Sequence, residues 1–283
     1  MARHHTDDVC VRECAGAFAP VVERNTYDSK SACARRIPCH PLPMKDVADA
    51  HRQAHAVIAA IESVGATAHV PVERYVHQIS GFAAVARCRA LLLSVLILDD
   101  AGRADVIGVT LRALLEAWYF GVVATLGTDA DIDKFDQDHR YWKNDLASHL
   151  PGVIPEPGPV NKFSVFKRAQ RSDELLAEIG ETPGGAVEQY KVLYAAESLT
   201  SAHASFESMK RYVIEGDDGV VGIVQESDAD ESSRYGRIRM AAVLTALLAK
   251  WVFKRGDLDA TVFDRIDGLS EPDYSSETEG HRN

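Results

Sequence analysis

The sequence lacks the glycine-rich motifs that mark most nucleotide-binding folds. Neither a G-x-G-x-x-G run nor a G-x-x-x-x-G-K-[ST] run is present among its 283 residues. Both motifs work by bringing backbone N–H groups close to phosphate. The alternation of strands and helices that builds a parallel sheet is also missing. These absences argue against a dinucleotide-binding fold and against a P-loop fold.

Basic residues are in deficit. The chain has 31 lysines and arginines against 42 acidic residues, which gives a net charge of −11, and this argues against a protein that coats nucleic acid. The excess of acidic residues is concentrated after residue 256, where the chain has eight acidic residues and two arginines. An anion pocket centred on a single arginine is therefore compatible with the rest of the chain.

A signal peptide is not evident, because charged residues interrupt the first 20 residues. The nearest candidate for a membrane span, residues 106–126, carries Arg112 and Glu116 in its middle. Charges at that depth are costly in lipid, so a buried helix of a soluble bundle is the better interpretation. We predict a cytoplasmic protein without a membrane partner.

Cysteine is scarce, at five residues. Cys88 lies in an apolar run and is typical of a small core residue. The early cysteines are followed by His40, and their C-x3-C and C-x5-C-H spacings are wider than the C-x2-C hooks of zinc sites. These four are Cys10, Cys14, Cys33 and Cys39. We predict no metal and no cofactor, with zinc binding by these cysteines as a third-ranked hypothesis.

The chain divides into three parts. Residues 1–44 lack periodicity and end in a proline-rich run, which predicts a poorly ordered leader and linker. Residues 45–256 show helical periodicity and form the predicted bundle domain. Residues 257–283 read as a short helix followed by an acidic, disordered tail.

Apolar spacing near 3.6 residues predicts about seven helices. Their expected ranges are 45–65, 71–98, 103–127, 129–149, 161–180, 186–212 and 229–254. Two β-branched runs on either side of residues 215–219 predict a small β-hairpin. The expected fold class is therefore all-α, a multi-helix bundle with one small hairpin.

The most apolar helix, 103–127, contains polar residues on one face. Arg112, Glu116 and Tyr119 follow the i, i+4, i+7 spacing that aligns side chains. A helix apolar on all sides is a central one, so the charged pair is expected to be buried or to line a cleft. Because Arg before Glu is the weaker order for a helix pair, we expect both groups to reach further partners.

The predicted helix 186–212 carries two different stripes. One bears hydroxyls, from Tyr190, Tyr194, Ser198, Ser201 and Ser205. The opposite stripe is apolar and is expected to face the core, with His203 standing in it; it consists of Val192, Ala196, Leu199, His203 and Phe206. The hydroxyl stripe is open to two interpretations, a second interface or a solvated face.

These polar residues support two hypotheses. In the first, they form a pocket in which Arg112 binds an anion such as phosphate, His203 supplies acid–base chemistry and Glu116 orients one of them. In the second, Arg112 and Glu116 are a structural tie and His203 is a core histidine. The candidate ligand-binding residues are Arg112, Glu116, Tyr119, Tyr194, Ser198 and His203, of which Arg112, Glu116 and His203 are also the catalytic candidates.

The pattern Arg112-x-x-x-Glu116, followed by Tyr194, Ser198 and His203-x-Ser205, resembles a bacterial all-helical family labelled as a domain of unknown function. The resemblance covers roughly residues 50–255. It implies the helical bundle and brings no established activity.

The outline is also similar to that of HEPN domains, many of which are metal-independent ribonucleases in toxin and phage-defence systems. In that family an Arg holds the scissile phosphate and a His four to six residues later moves a proton. Here the match to that spacing, Arg35 and His40, lies in the proline-rich leader. A nuclease would therefore have to take Arg112 and His203 from separate helices.

The leading prediction is a binding or regulatory module with a polar cluster, whose apolar faces are compatible with a homo-oligomer. The alternative is a HEPN-like ribonuclease or defence effector that uses Arg112 and His203 on an RNA or other anionic ligand.

Overall fold

A computed structural model describes residues 46–67, 75–181, 185–195, 213–215, 221–223 and 231–266. The described chain is mostly helical, as the sequence predicts. Its seven α-helices are α1 (Val47–Gly65), α2 (Tyr75–Asp100), α3 (Ala104–Leu126), α4 (Asp129–His149), α5 (Val165–Glu178), α6 (Gly185–Gln189) and α7 (Glu231–Arg255). A π-helical turn (Tyr190–Tyr194) continues α6, and a 3₁₀ helix (Thr261–Arg265) follows α7.

Two segments, β1 (Val213–Glu215) and β2 (Val221–Ile223), pair antiparallel with Ile214 opposite Gly222. The connecting residues 216–220 lie outside the described chain, and the hairpin that joins the two segments stays a prediction. The predicted leader, 1–44, and most of the predicted tail also lie outside the described residues.

Helix ends follow local side-chain chemistry. The Asp46 carboxylate accepts a hydrogen bond from the Ala48 N–H at 2.9 Å and begins α1. Thr128 and Asp131 close a capping box at the start of α4, where Asp131 accepts from the Thr128 N–H at 3.0 Å. Residues 150–160, with four prolines, are non-helical, as the sequence predicts.

Helix α3 is the central element, as its composition predicts. It packs against α2, α5 and α7, while α1 packs mainly against α7. Trp118 of α3 and Trp251 of α7 meet with ring centroids 6.0 Å apart in the core. Both α2 and α3 are long and apolar enough to cross a membrane by length and composition alone, a test that core helices of soluble proteins also pass.

Gly121 marks the closest approach of these helices. A Cβ atom added there would lie 2.7 Å from Leu248 of α7 and 2.8 Å from the Cβ of Ala84 in α2. Only glycine leaves room for both neighbours, so this position fixes how closely α3 sits against the two helices.

Buried carboxylates join α4 to α5. Asp131, almost fully buried, accepts from Lys134 at 2.8 Å and from Arg171 at 3.2 Å. Two turns further along α4, Asp138 accepts from Arg168 at 2.6 Å and from the Phe163 N–H at 2.7 Å. The arginines of α5 allow α4, whose sequence is largely polar, to bury these carboxylates.

A third buried carboxylate joins three helices. Asp99, near the end of α2, accepts two hydrogen bonds of 2.8 Å from Arg234 of α7 and one of 2.9 Å that joins it to Nε2 of His51 in α1. The predicted helix ends at residue 98. The structure extends α2 through Asp99 and Asp100, and Arg234 and His51 supply the donors that allow the Asp99 carboxylate to be buried there.

These carboxylates predict a specific acid sensitivity. Burial opposes ionisation of Asp99 and Asp131, but hydrogen bonds from Arg234 and His51, and from Lys134 and Thr128, outweigh burial and hold each pKa below its usual range. A lowered folded-state pKa stabilises the fold above the unfolded-state pKa of about 3.9, and this contribution is lost as the pH falls below it.

Urea unfolding between about pH 3 and pH 7 should therefore show stability falling steeply below about pH 4. The variants Asp99→Asn and Asp131→Asn should each flatten that slope. An unchanged slope in both variants would show that these carboxylates do not set the acid limit.

Candidate functional site

The candidate site lies where α3 meets the π-helical turn after α6. Arg112 of α3 donates from Nη2 to the Tyr194 hydroxyl at 3.0 Å, and that hydroxyl donates to Oε1 of Glu116 at 2.8 Å. The Nε of Arg112 lies 3.5 Å from the same Glu116 oxygen. We call Arg112, Glu116 and Tyr194 the polar cluster.

Aromatic contacts hold the polar cluster in place. The Arg112 guanidinium carbon lies 4.9 Å from the Tyr194 ring centroid, in a cation–π contact. Tyr190 stacks on Tyr194 with centroids 5.0 Å apart and planes 17° from parallel. Phe166 of α5 packs on Tyr190 at 5.1 Å. Three helical elements therefore fix the position of one guanidinium.

The π-helical turn brings the two tyrosines to the site. Residues 190–194 carry i→i+5 hydrogen bonds, and the Ala195 N–H bonds to the Tyr190 carbonyl. Such turns are rare and occur often at functional sites. The wider turn lets both rings stack while the Tyr194 hydroxyl reaches α3. The helical pattern predicts no π-helix, since its apolar spacing is that of an ordinary helix.

The two charged members remain partly open to solvent. The exposed fraction is 26% for the Arg112 side chain and 39% for Glu116, whereas Tyr194 is buried, with 9% of its surface exposed. The cluster is thus a half-buried patch and not a sealed ion pair. Burial and the Glu116 carboxylate raise the pKa of Tyr194, so its phenol stays protonated and serves as a hydrogen-bond bridge.

Tyr119 is placed differently from its two partners on the same helix. It is fully buried, and its hydroxyl donates to the Ala186 carbonyl at 3.2 Å. Burial raises the pKa of Tyr119 as well. Its described hydrogen bond supports α6 from inside the core. Asp173 of α5 holds the same end of α6, because its carboxylate accepts from the Ala186 and Val187 N–H groups.

At the start of the predicted helix 186–212, the hydroxyl stripe faces the core and the apolar stripe faces solvent, the reverse of the prediction. Tyr194, on the hydroxyl stripe, faces the bundle, while Val192, on the predicted core stripe, is 40% exposed. The prediction of a core-facing Val192 is wrong at this position, because the π-helical turn and the Arg112 and Glu116 partners draw the tyrosines inward. Ser198 and His203 lie outside the described residues.

A separate cavity of about 400 Å³ lies between α2, the α3–α4 junction and the end of α7. His77 spans its rim, with Nδ1 2.8 Å from the Ala124 carbonyl and Nε2 2.9 Å from Asp129. Sequence reasoning missed this cavity, since its residues come from three segments that are distant in the chain. The unpartnered oxygens of Gln78 and Thr125 on its wall are sealed from solvent, which places them out of reach of a ligand in this conformation.

Metal chemistry has no described site. In the part of the chain that the structure describes, no group of three or more histidines, cysteines and carboxylates could hold an ion. The early cysteines and His40, for which zinc was the third-ranked hypothesis, lie outside that part.

The described polar cluster combines a guanidinium, a carboxylate and a hydroxyl. A guanidinium is a planar, charged donor whose chemistry suits carboxylate or phosphate. Proton transfer near neutral pH would need another group, because the tyrosine stays protonated.

Comparison with protein-family models, with curated proteins and with solved structures gives no match for this chain.

Proposed function

We propose that this protein is a helical-bundle binding module that takes an anionic ligand, of the phosphate class, at Arg112. Glu116 and Tyr194 orient the guanidinium, and the surrounding helices provide a rigid frame. The proposal rests on one observation: a half-buried arginine is held in one orientation by a tyrosine hydroxyl and ring and by a carboxylate.

Preorganisation is what favours binding here. An arginine side chain loses about 2 kcal/mol of rotamer entropy when a ligand immobilises it. Arg112 is already held by Tyr194 before any ligand arrives, so less of that freedom remains to be lost. The Glu116 carboxylate lowers the local positive charge, which favours a ligand that also donates a hydrogen bond. A phosphate monoester with a free hydroxyl meets both conditions.

The binding test uses adenosine monophosphate and inorganic phosphate as probes in isothermal titration calorimetry. We expect wild type to bind the monophosphate, and Arg112→Ala to weaken the affinity at least about tenfold, since charge-assisted hydrogen bonds contribute about 1.5–3 kcal/mol. Arg112→Lys should recover only part of the affinity, because lysine keeps the charge and loses the planar fork.

Arg89→Ala is the matched control. Arg89 has a similar exposed fraction, 32%, and pairs with Glu62 on another face of the bundle. It should leave probe affinity unchanged. Equal losses in Arg89→Ala and Arg112→Ala would show that the probes respond to overall charge and not to the polar cluster.

The same variants separate binding from nuclease action. A HEPN-like ribonuclease or toxin effector would lose RNA cleavage in both Arg112→Ala and His203→Ala, with each variant still folded. Under the binding proposal, purified wild type leaves single-stranded RNA intact over hours. Cleavage that both variants abolish would replace the binding module by the nuclease.

A further inference from the structure

An exposed apolar strip runs along the whole outer face of α2. Its large members, Val76, Ile79, Leu93 and Ile97, are 54%, 42%, 36% and 58% exposed. Between them lie three exposed alanines, Ala83, Ala86 and Ala90. Large apolar side chains exposed in one line normally mark a contact surface. Fewer than half of the residues in the most apolar window of α2 are buried.

The spacing of the strip is that of a coiled coil. Its seven residues follow one another at intervals of 3, 4, 3, 4, 3 and 4. Such a heptad seam is the pattern that packs against a second helix. Burial in the bundle alone would not require it, since α2 uses its other face, including Leu92 and Val95, to pack on the core.

The strip is also palindromic in side-chain size. Two large residues, three alanines and two large residues follow in order along the chain. When two copies of α2 run antiparallel about a twofold axis at Ala86, Val76 lies opposite Ile97 of the second copy, and Ile79 lies opposite Leu93. Ala83 then meets Ala90, and the small centre lets the helices approach closely. A parallel, in-register pairing also matches residue sizes, but it would align the two helix dipoles and bring together the exposed carboxylates of Asp100, which occupies the next position of the seam.

We infer that α2 is the dimerisation helix of this protein, and that two copies pair antiparallel through this strip. The occupant is a second copy because the strip complements itself in both size and register. An isologous contact of this kind is the commonest form of homo-oligomer. The inference is independent of the anion site at Arg112.

The area of the strip predicts the strength of the dimer. From Val76 to Ile97 the helix rises about 32 Å, and a contact about 10 Å wide covers about 300 Å² in projection per copy. A standard stable interface buries about 800 Å² per partner. The small area therefore predicts a weak dimer that dissociates on dilution.

Electrostatics make a second prediction. Arg87 is exposed beside Ala86, so the two copies bring like charges close to the twofold axis. Salt screens such a repulsion. Dimerisation should strengthen as ionic strength rises, and Arg87→Ala should strengthen it at low salt.

Sedimentation velocity of the full chain from about 1 µM to about 200 µM is the first test. We expect the mass to rise from 30.9 kDa towards twice that value. The double variant Leu93→Glu, Ile97→Glu should weaken association at least about a hundredfold, because it buries carboxylates in an apolar seam. Ile154→Glu, at an exposed apolar residue outside α2, should leave it unchanged.

Disulfide trapping tests the orientation. With Cys10, Cys14, Cys33 and Cys39 replaced by serine, Cys88 can stay, because burial raises the pKa of its thiol to about 12 and keeps it unreactive. Ala86→Cys should then form a cross-linked dimer under mild oxidation, and Ile97→Cys should not. A parallel, in-register pair would also cross-link at 86, so the result at 97 separates the two orientations. Cross-linking at 97 would indicate a parallel pair and overturn the antiparallel assignment.

Three results would overturn the inference as a whole. One is a monomer at every concentration. Another is a double variant that is less stable than wild type while the mass of the wild type stays constant across the concentration series. That result would mean that another part of the same chain covers the strip. The third is flotation of monomers with phosphatidylcholine vesicles that the double variant abolishes, which would assign the strip to a lipid surface.

Discussion

Gly121→Ala should destabilise the protein by about 2 kcal/mol or more, measured by urea unfolding. The added methyl group meets Ala84 of α2 and Leu248 of α7 at distances well below van der Waals contact. Leu248 can rotate, but the Ala84 methyl is fixed to its backbone, so α3 has to move away from α2. Alanine's better helix propensity, about 1 kcal/mol, offsets only part of this loss.

Gly236→Ala is the matched control for that substitution. Gly236 also lies inside a helix, α7, but no atom of the described residues would lie within 4 Å of its new Cβ. The variant should be about 0.5–1 kcal/mol more stable than wild type, since alanine loses less backbone entropy. The two variants make the same chemical change and are expected to differ in sign. A Gly121→Ala variant as stable as Gly236→Ala would show that the helices cross less closely than described.

Asp99→Ala should have the second large effect, a loss of about 2–4 kcal/mol. Without this carboxylate, Arg234 loses two hydrogen bonds of 2.8 Å and His51 loses one of 2.9 Å. The exposed fraction is 35% for the Arg234 side chain and 17% for His51, so water compensates only in part. Thermal unfolding should show one cooperative transition at a lower midpoint, because the carboxylate ties α1, α2 and α7 together.

Asp100→Ala is the control on the same helix. Its side chain is 71% exposed and makes one long contact of 3.8 Å to His51. Removing a carboxylate from a helix C-terminus also relieves an unfavourable interaction with the helix dipole. The variant should therefore be as stable as wild type or slightly more stable. Equal destabilisation by both substitutions would mean that the charge of this helix end matters and the buried bridge does not.

The architecture followed from periodicity because burial leaves a strong pattern in helices. In α1, the apolar residues whose spacing predicts the helix are all buried; they are Val47, Ala50, Ala54, Val57, Ile58 and Ile61. The central place of α3 followed from its nearly uninterrupted apolar composition. The predicted range of α4, 129–149, is confirmed by the structure. Its start is marked in the sequence by the capping box of Thr128 and Asp131.

The partners of the polar residues could not be predicted in the same way. Arg112 and Glu116 share a helix, and this spacing is visible in the sequence, but their contact with Tyr194 depends on a π-helical turn that leaves no periodic signal. Asp99 and Asp131 look like surface carboxylates until Arg234 and Arg171, 135 and 40 residues later, are brought against them. Long-range pairing of this kind depends on how helices pack, which one sequence does not specify.

The central claim, that Arg112 serves binding and not folding, is tested most directly by four urea unfolding curves: wild type and Arg112→Ala, each with and without adenosine monophosphate. Without the nucleotide, the variant should lose no more than about 1–2 kcal/mol, because Glu116 is 39% exposed and water can replace the arginine as its partner. At a hundredfold excess over the dissociation constant, wild type should gain about 2.7 kcal/mol and the variant nothing. A variant that loses about 3 kcal/mol or more without the nucleotide, beside a wild type that gains nothing from it, would make the cluster a structural tie and contradict the proposal.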